Sequence, residues 1–173
     1  MNKLLPDTRQ KFLQRDELAA RVRWRQQAGE HAVFTNGCFD LLHLGHVRYL
    51  QEARNLGDFL ILGLNSDESV RRLKGQGRPL VPEMERAEIL ASLTCIDYIT
   101  IFAEATAGPL VSLLQPAIYV KGGDYAGAQH GIPDPDRLPE ARIVQEYGGT
   151  VHLIPYVPQH STTELIAAIK RLP

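Results

Sequence analysis

The chain has 173 residues, of which 44% are hydrophobic and 23% charged, with a formal net charge of −1. That length fits one domain with a substantial core, and the proportions are those of an ordinary globular protein rather than a disordered or fibrous one. So even a charge balance gives no global pull towards nucleic acid or an anionic membrane; no apolar run approaches a membrane span, and the N-terminus lacks the apolar core of a secretory signal. Two cysteines far apart, Cys38 and Cys95, give no disulfide framework, in keeping with a cytoplasmic protein.

Residues 1–30 read as a helical extension and residues 31–173 as the main domain. Over 15–27, Leu18, Ala19, Val22 and Trp24 alternate with charges, which predicts an amphipathic helix covering one edge of the fold. Asp16 is placed to cap it and Gly29 to end it. The run Ala32-Val33-Phe34 predicts a short buried strand, followed by Thr35-Asn36-Gly37-Cys38-Phe39-Asp40-Leu41-Leu42-His43-Leu44-Gly45-His46 and a helix over 47–54. A second strand over 59–64 is apolar almost throughout, as suits a parallel strand buried on both faces. It ends on Asn65-Ser66-Asp67-Glu68, at the carboxyl end of a strand, where open α/β sheets bind ligands; Ser66 or Asp67 can equally cap the next helix.

Residues 69–79 carry four cations (Arg71, Arg72, Lys74, Arg78) beside two glycines and a proline. They read as an exposed loop, and phosphate contact is favoured over a merely solvated surface. A helix over 82–93 has Pro82 near its start and Glu83 and Glu85 in its first turn, with Arg86 set among acids as a partner within the helix. A strand over 96–102, a helix over 107–114 and a strand over 117–120 follow. The last delivers Lys121-Gly122-Gly123-Asp124-Tyr125, where the glycines either let a ligand approach the backbone or make a plain turn. A surface loop over 126–139 runs into a helix over 138–147, then a strand over 150–154. Ser161-Thr162-Thr163-Glu164 has the spacing of a capping box, which leaves Thr162 and Thr163 as further donors at a helix N-terminus. The alternation predicts an α/β fold: a Rossmann-like, doubly wound parallel sheet of five strands with helices on both faces. Neither a P-loop nor a strand-flanked G-x-G-x-x-G is present.

A strand, a Gly-bearing turn and a helix N-terminus favour an anion, because free N–H groups and the helix dipole point at it. His43 and His46 fall on one face of the first helical turn and can grip several phosphate oxygens. Cys38, His43 and His46 also read as soft zinc ligands, but no CxxC accompanies them and a fourth ligand is not evident, so no metal site is assigned.

His43-Leu44-Gly45-His46, preceded by Gly37-Cys38-Phe39-Asp40, resembles the HxGH motif of the nucleotidyltransferase superfamily. TNGCFDLLHLGHVRYLQEARNLGD, NSDESVRRLKGQGRPL, Glu85-Arg86, VKGGDY, LPEA and STTELI are similar to one branch, the D-glycero-β-D-manno-heptose 1-phosphate adenylyltransferases, over most of 34–169. That enzyme often forms the second half of a protein whose first half is a sugar kinase. With no kinase half in this sequence, the expectation is a stand-alone transferase. Two segments depart from the pattern: 126–137 is longer than usual, and Gln159-His160 replaces a small glycine-containing turn.

The resemblance implies transfer of AMP from ATP to D-glycero-β-D-manno-heptose 1-phosphate with release of pyrophosphate. The phosphate nucleophile is already ionised, so catalysis should be positioning and charge stabilisation. His43 and His46 are assigned to the triphosphate, cradled by Thr35, Asn36, Gly37, Cys38, Phe39 and Gly45. Ser161, Thr162 and Thr163 add donors from the opposite side. Lys74, Arg78 and Arg86 are candidates for the sugar phosphate or the triphosphate tail, with Asn65 and Asp67 on the substrate side and Asp40 in support. Lys121, Gly122, Asp124 and Tyr125 are assigned to the base and ribose. Mg²⁺ should accompany ATP, held by phosphate oxygens and water, and the enzyme should be a homodimer. Two other readings stay open: a cytidylyltransferase acting on glycerol 3-phosphate or a similar small alcohol phosphate, and a non-catalytic nucleotide-binding regulatory module.

Overall fold

The computed structural model describes residues 7–122, 138–155 and 161–172. Five strands, β1 (Ala32–Gly37), β2 (Phe59–Asn65), β3 (Tyr98–Phe102), β4 (Ile118–Gly122) and β5 (Thr150–Ile154), form one sheet in the order β3-β2-β1-β4-β5. Every neighbouring pair is parallel. All seven residues of β2 are buried, which accounts for its unbroken apolar run: helices cover the sheet on both sides.

Successive side chains of a strand point to opposite faces, so the sheet divides the core in two. On one face α1 (Arg15–Gln27), α5 (Gly108–Leu114) and α6 (Glu140–Glu146) enclose Phe34, Phe59, Ile61 and Tyr119. On the other, α2 (Leu44–Arg54) and α4 (Glu83–Ala91) enclose Val33, Leu60, Leu62, Leu64 and Val120. This is the doubly wound arrangement expected from the alternation. The chain leaves β1 for α2 on one face and β4 for α6 on the other. The two helices diverge from adjacent strands and open a crevice at the carboxyl edge, the switch point where such sheets bind ligands.

The N-terminal segment is built into this core. Phe12 bridges to Ile99, the Leu13 N–H donates to the Ile99 carbonyl at 3.0 Å, and Leu13, Leu18, Ala19 and Val22 are buried.

The segment expected as a loop over 69–79 begins instead as helix α3 (Asp67–Lys74). Ser66 caps it by accepting from the Ser69 N–H at 3.2 Å, Asp67 and Glu68 occupy its first turn, and Gly75 ends it with φ of 94°. Only Ser69 and Val70 of its eight residues are buried, so the apolar period that marks a helix in sequence is nearly missing.

Candidate active site

At the carboxyl edge of the sheet lies a cavity of about 900 Å³. Its floor is the turn after β1. Phe39 takes φ of 44°, and its ring lies so close over Gly37 that a Cβ there would meet it at 2.8 Å. Glycine is therefore the residue that fits at position 37. The reversed backbone lets Cys38 and Phe39 run into α2, whose N-cap is His43.

The two histidines form one unit. Their ring centroids are 3.8 Å apart with planes 21° from parallel, and Phe39 tilts against His46 at 5.0 Å. The helix begins at Leu44, three residues before the expected start, so His43 is its cap and His46 lies in its first turn. Burial, followed by the neighbouring His43, pushes the His46 pKa down to about 4, against a smaller opposing pull from the Leu41 carbonyl. His46 is thus a neutral imidazole at pH 7, with one N–H to donate and one nitrogen to accept. The His46 N–H already donates to the His43 carbonyl at 2.9 Å, so the N–H groups of Leu44 and Gly45 are the helix-start donors without an acceptor inside the helix.

Across the cavity stands the start of α7 (Thr162–Ile169). Ser161 is its N-cap, accepting from the Glu164 N–H at 3.1 Å and donating its hydroxyl proton to Glu164 Oε2 at 2.9 Å. This box satisfies Ser161 and Glu164 and leaves Thr162 and Thr163 in the cavity wall. The far ends of the chain, His43 with His46 and Ser161 to Thr163, therefore share one cleft.

Three cations, Lys74, Arg78 and Lys121, line the cleft, beside the carboxylates of Asp40, Glu140 and Glu164. Burial pushes the pKa of the Cys38 thiol up, although Lys74, Arg86, Lys121 and Arg78 all act to lower it. Cys38 is therefore a neutral thiol inside a positive field. Lys121 is held over the end of β1, with Nζ 3.4 Å from Asn36 Oδ1, and the Tyr119 hydroxyl donates to the same oxygen at 2.7 Å.

Three expected residues stand behind the wall rather than in it. The hydroxyls of Thr35 and Tyr49 lie 2.7 Å apart and reach the Val120 carbonyl at 3.0 and 3.1 Å, tying β1 and α2 to β4. Arg86 is 1% exposed. Its guanidinium donates to the carbonyls of Val81 (2.9 Å), Cys38 (2.6 Å) and Asn65 (2.9 Å) and pairs with Asp67 at 2.7 Å. The partner expected within its own helix is therefore replaced by Asp67 on α3. Arg86 and Asp67 fasten the ends of β1 and β2 to the start of α4.

Asp40 also supports, by a route other than a histidine, Lys121 or the α2 cap. It accepts from the N–H groups of Leu80 (2.8 Å) and Val81 (3.0 Å) and pairs with Arg78. Burial alone would raise its pKa, but those two N–H groups and the guanidinium outweigh it and hold the carboxylate below its ordinary range. Asp40 thus pins residues 78–81, with Arg78 facing the cleft, against the histidine turn. Asn65 lines the cleft and donates to Ser69 Oγ at 2.9 Å. Gly45 and Gly122 complete the wall. Asp124 and Tyr125, expected at the base and ribose, lie outside the described residues, as do the 126–137 segment and Gln159-His160.

Several parts of the wall were not anticipated from the sequence, and two stand out. One is the segment after β3, where Phe102, Ala105, Thr106 and Ala107 face the cavity, and the other is Glu140 at the start of α6. The segment is apolar or small and carries no motif. Glu140 follows Pro139 at a helix start, where an acid is expected for the dipole alone.

The family model for cytidylyltransferase-like proteins matches residues 34–168, which span the strand, the HxGH turn, the sheet and the Ser-Thr element just described. The chain belongs to the cytidylyltransferase-like family. It is accordingly a nucleotidyltransferase. Among relatives, the bifunctional protein HldE of Geotalea uraniireducens is 51% identical over 95% of this chain, and that of Geobacter metallireducens 50% identical over 95%. The chain spans about a third of the length of these relatives, 32% in each case. Among solved structures, a lipopolysaccharide core biosynthesis protein from Thermoplasma volcanium superposes with a TM-score of 0.57 at 27% identity, covering 75% of this chain and 98% of its own. A pantoate–β-alanine ligase from Francisella tularensis superposes at TM-score 0.58, covering 92% of this chain and 76% of its own, with 13% identity. At that identity it speaks for the fold alone.

Proposed function

We propose that this chain transfers AMP from ATP to D-glycero-β-D-manno-heptose 1-phosphate and releases pyrophosphate, forming ADP-heptose for lipopolysaccharide or a related glycan. The observation that carries the reading is the single cleft shared by the stacked His43 and His46 and by the α7 N-terminus, with three cations in its wall. Such an arrangement suits a polyanion held from two sides. The motifs shared with the heptose 1-phosphate adenylyltransferases support the choice of sugar, and the likeness to HldE, over 95% of this chain and about a third of that protein, agrees with it.

In this reading the sugar phosphate oxygen attacks the α-phosphorus of ATP, and the P–O bond to the β-phosphate breaks. The nucleophile needs no base, so the chain's work is to align the two phosphates and spread the charge. His46, neutral before binding, donates its N–H to the α-phosphate region together with His43 and the first N–H groups of α2. Thr162, Thr163 and the α7 N-terminus hold the departing pyrophosphate with Lys74 or Arg78. Arg86, Asp67 and Asp40 fix the turn and the basic segment in register. Lys121 and Gly122 face the nucleoside.

Mg²⁺ would arrive with ATP and supply charge neutralisation on the triphosphate. Among the described residues no group of three or more His, Cys, Asp or Glu side chains is gathered to hold a metal, and the Asp40 and Glu140 carboxylates in the wall already accept backbone N–H groups. Phosphate oxygens and water would therefore supply most ligands, which such a wall accommodates. No helix among the described residues is long and apolar enough to cross a membrane. The reading places the enzyme in the cytoplasm as a homodimer, acting on two small anionic substrates.

A pyrophosphate-release screen offering four nucleoside triphosphates against heptose 1-phosphate, hexose 1-phosphates and glycerol 3-phosphate tests it. ATP with the heptose phosphate should stand out. Release with CTP and glycerol 3-phosphate would replace the reading by the cytidylyltransferase one, and binding without turnover would replace it by a regulatory module.

A further inference from the structure

Tyr119 is a core residue with a polar tip. It is 0% exposed, and its ring stacks on Phe34 with centroids 5.8 Å apart. Burying a phenol is costly unless its O–H finds a partner. Here the O–H donates to Asn36 Oδ1 at 2.7 Å. The arrangement follows from the sheet. Phe34 on β1 and Tyr119 on β4 are partners in register, and two residues further along each strand stand Asn36 and Lys121, on the same face at the carboxyl edge. The core thus reaches the floor of the cleft through one hydroxyl.

These contacts fix which way the Asn36 amide faces. A lysine ammonium has donors only, and Lys121 Nζ lies 3.4 Å from the same oxygen, long for a hydrogen bond but near enough to set polarity. The atom turned to β4 is therefore the carbonyl oxygen, held by a phenol and faced by a cation. Nδ2 is left on the other side. Among the described residues it makes no hydrogen bond, and it is not sealed within protein. Asn36 lines the cleft beside the histidine turn. The amide so offers its N–H donors to the cleft and keeps its acceptor turned away. That is the polarity an ionised phosphate requires, because its oxygens only accept. A flipped amide would set a carbonyl oxygen against the anion.

We propose that Tyr119 is a positioning residue: by donating to the Asn36 carbonyl oxygen it holds the Asn36 amide with its N–H groups turned to a phosphate oxygen of a substrate. The inference rests on the transferase reading above and adds to it a donor, Asn36 Nδ2, and the buried phenol that orients it. The triphosphate and the sugar phosphate present the same acceptor chemistry, and kinetics against each substrate tells which of them Asn36 meets. Its consequence is that a hydroxyl in the core, out of reach of any substrate, acts on turnover only by way of Asn36.

A double-mutant cycle tests this. The wild-type protein is first shown to release pyrophosphate from ATP with a sugar 1-phosphate; failure with every acceptor would overturn the transferase reading itself and leave the inference to a binding readout. Given that activity, Asn36→Ala should lower kcat/KM by about 10- to 100-fold, the scale of a bond to a charged group. Tyr119→Phe keeps the ring and should lower it by about 5- to 10-fold, with the thermal midpoint down by less than about 5 °C. A fall confined to kcat/KM for ATP assigns Asn36 to the triphosphate, and one confined to the sugar phosphate assigns it to the acceptor. A fall in kcat shared by both places the bond in the transition state. In the Asn36→Ala background, Tyr119→Phe should cost less than about twofold. Equal losses in both backgrounds would make Tyr119 a packing residue and overturn the inference, as would a Tyr119→Phe variant within twofold of wild type. The binding readout is NMR of isotope-labelled protein titrated with inorganic pyrophosphate and, separately, inorganic phosphate. The Asn36 side-chain NH₂ signals should move with one of them, and by less in Tyr119→Phe; signals that move with neither would overturn the inference.

Discussion

Replacing Arg86 by Met tests whether the active-site turn is held from behind. Methionine keeps most of the volume, so little cavity forms and the loss is polar. Three carbonyls, those of Cys38, Asn65 and Val81, lose a cationic donor at 2.6–2.9 Å. At about 1 kcal/mol for each unmet acceptor, the cost is about 3 kcal/mol. Asp67, whose side chain is 26% exposed, can turn to water and adds little. For a chain of this length each kcal/mol moves the midpoint by about 2–4 °C, so the expected drop is about 6–12 °C. Differential scanning calorimetry of Arg86→Met and Arg86→Lys reads it directly; Lys keeps the charge but cannot reach acceptors in several directions at once, and should recover only part. A midpoint within 2 °C of wild type would refute the reasoning and return Arg86 to the pool of cations available for substrate.

Other expectations follow from the same contacts. His46 is held neutral with a pKa of about 4 against 6.5 ordinarily, so the unfolded chain protonates first; above pH 6.5 there is no penalty, and between pH 6.5 and 4 stability should fall by about 3 kcal/mol. Urea unfolding at stepped pH should record that slope, and His46→Gln should flatten it. His46→Ala should lower kcat by about 10²- to 10³-fold with the fold intact, the usual scale for one preorganised donor, and near-normal turnover would remove His46 from the mechanism. Lys74 is exposed at the end of α3, so Lys74→Ala should raise KM by several-fold at unchanged midpoint, and unaltered kinetics would make it a solvated surface lysine. Asp40→Asn weakens the hold on Arg78 and residues 80–81, and should accelerate proteolysis within 75–81 before any change in global unfolding.

Much of this was legible in the residues. The apolar runs of β1 and β2, the limits of β5 and the Ser161 capping box follow from periodicity and cap chemistry acting locally; the span of α1 also follows, although Gln14, with no side-chain bond, is its N-cap and the expected cap Asp16 lies in the first turn. What local signals could not carry is the partner of a side chain across the sheet. Arg86 among glutamates reads as an ion pair within its helix, yet its acceptors lie 5 to 48 positions away. Asp40 follows a glycine turn and reads as a cap, yet it binds residues 78–81. Helix α3 was hidden because its cations and flanking glycines look like a loop, although Ser66, the acids after it and Gly75 mark both of its ends. Glu140 carried no signal beyond a favourable helix start.

The central claim is that the α2 turn and the α7 N-terminus close on one triphosphate. The most direct test is a titration of a non-hydrolysable ATP analogue with Mg²⁺, followed by NMR on isotope-labelled protein. The His43 and His46 ring signals and the Thr162 and Thr163 amide signals should move together, along curves giving one Kd. Shifts confined to the histidines, with the Thr162 and Thr163 amides unmoved at saturation, would contradict it.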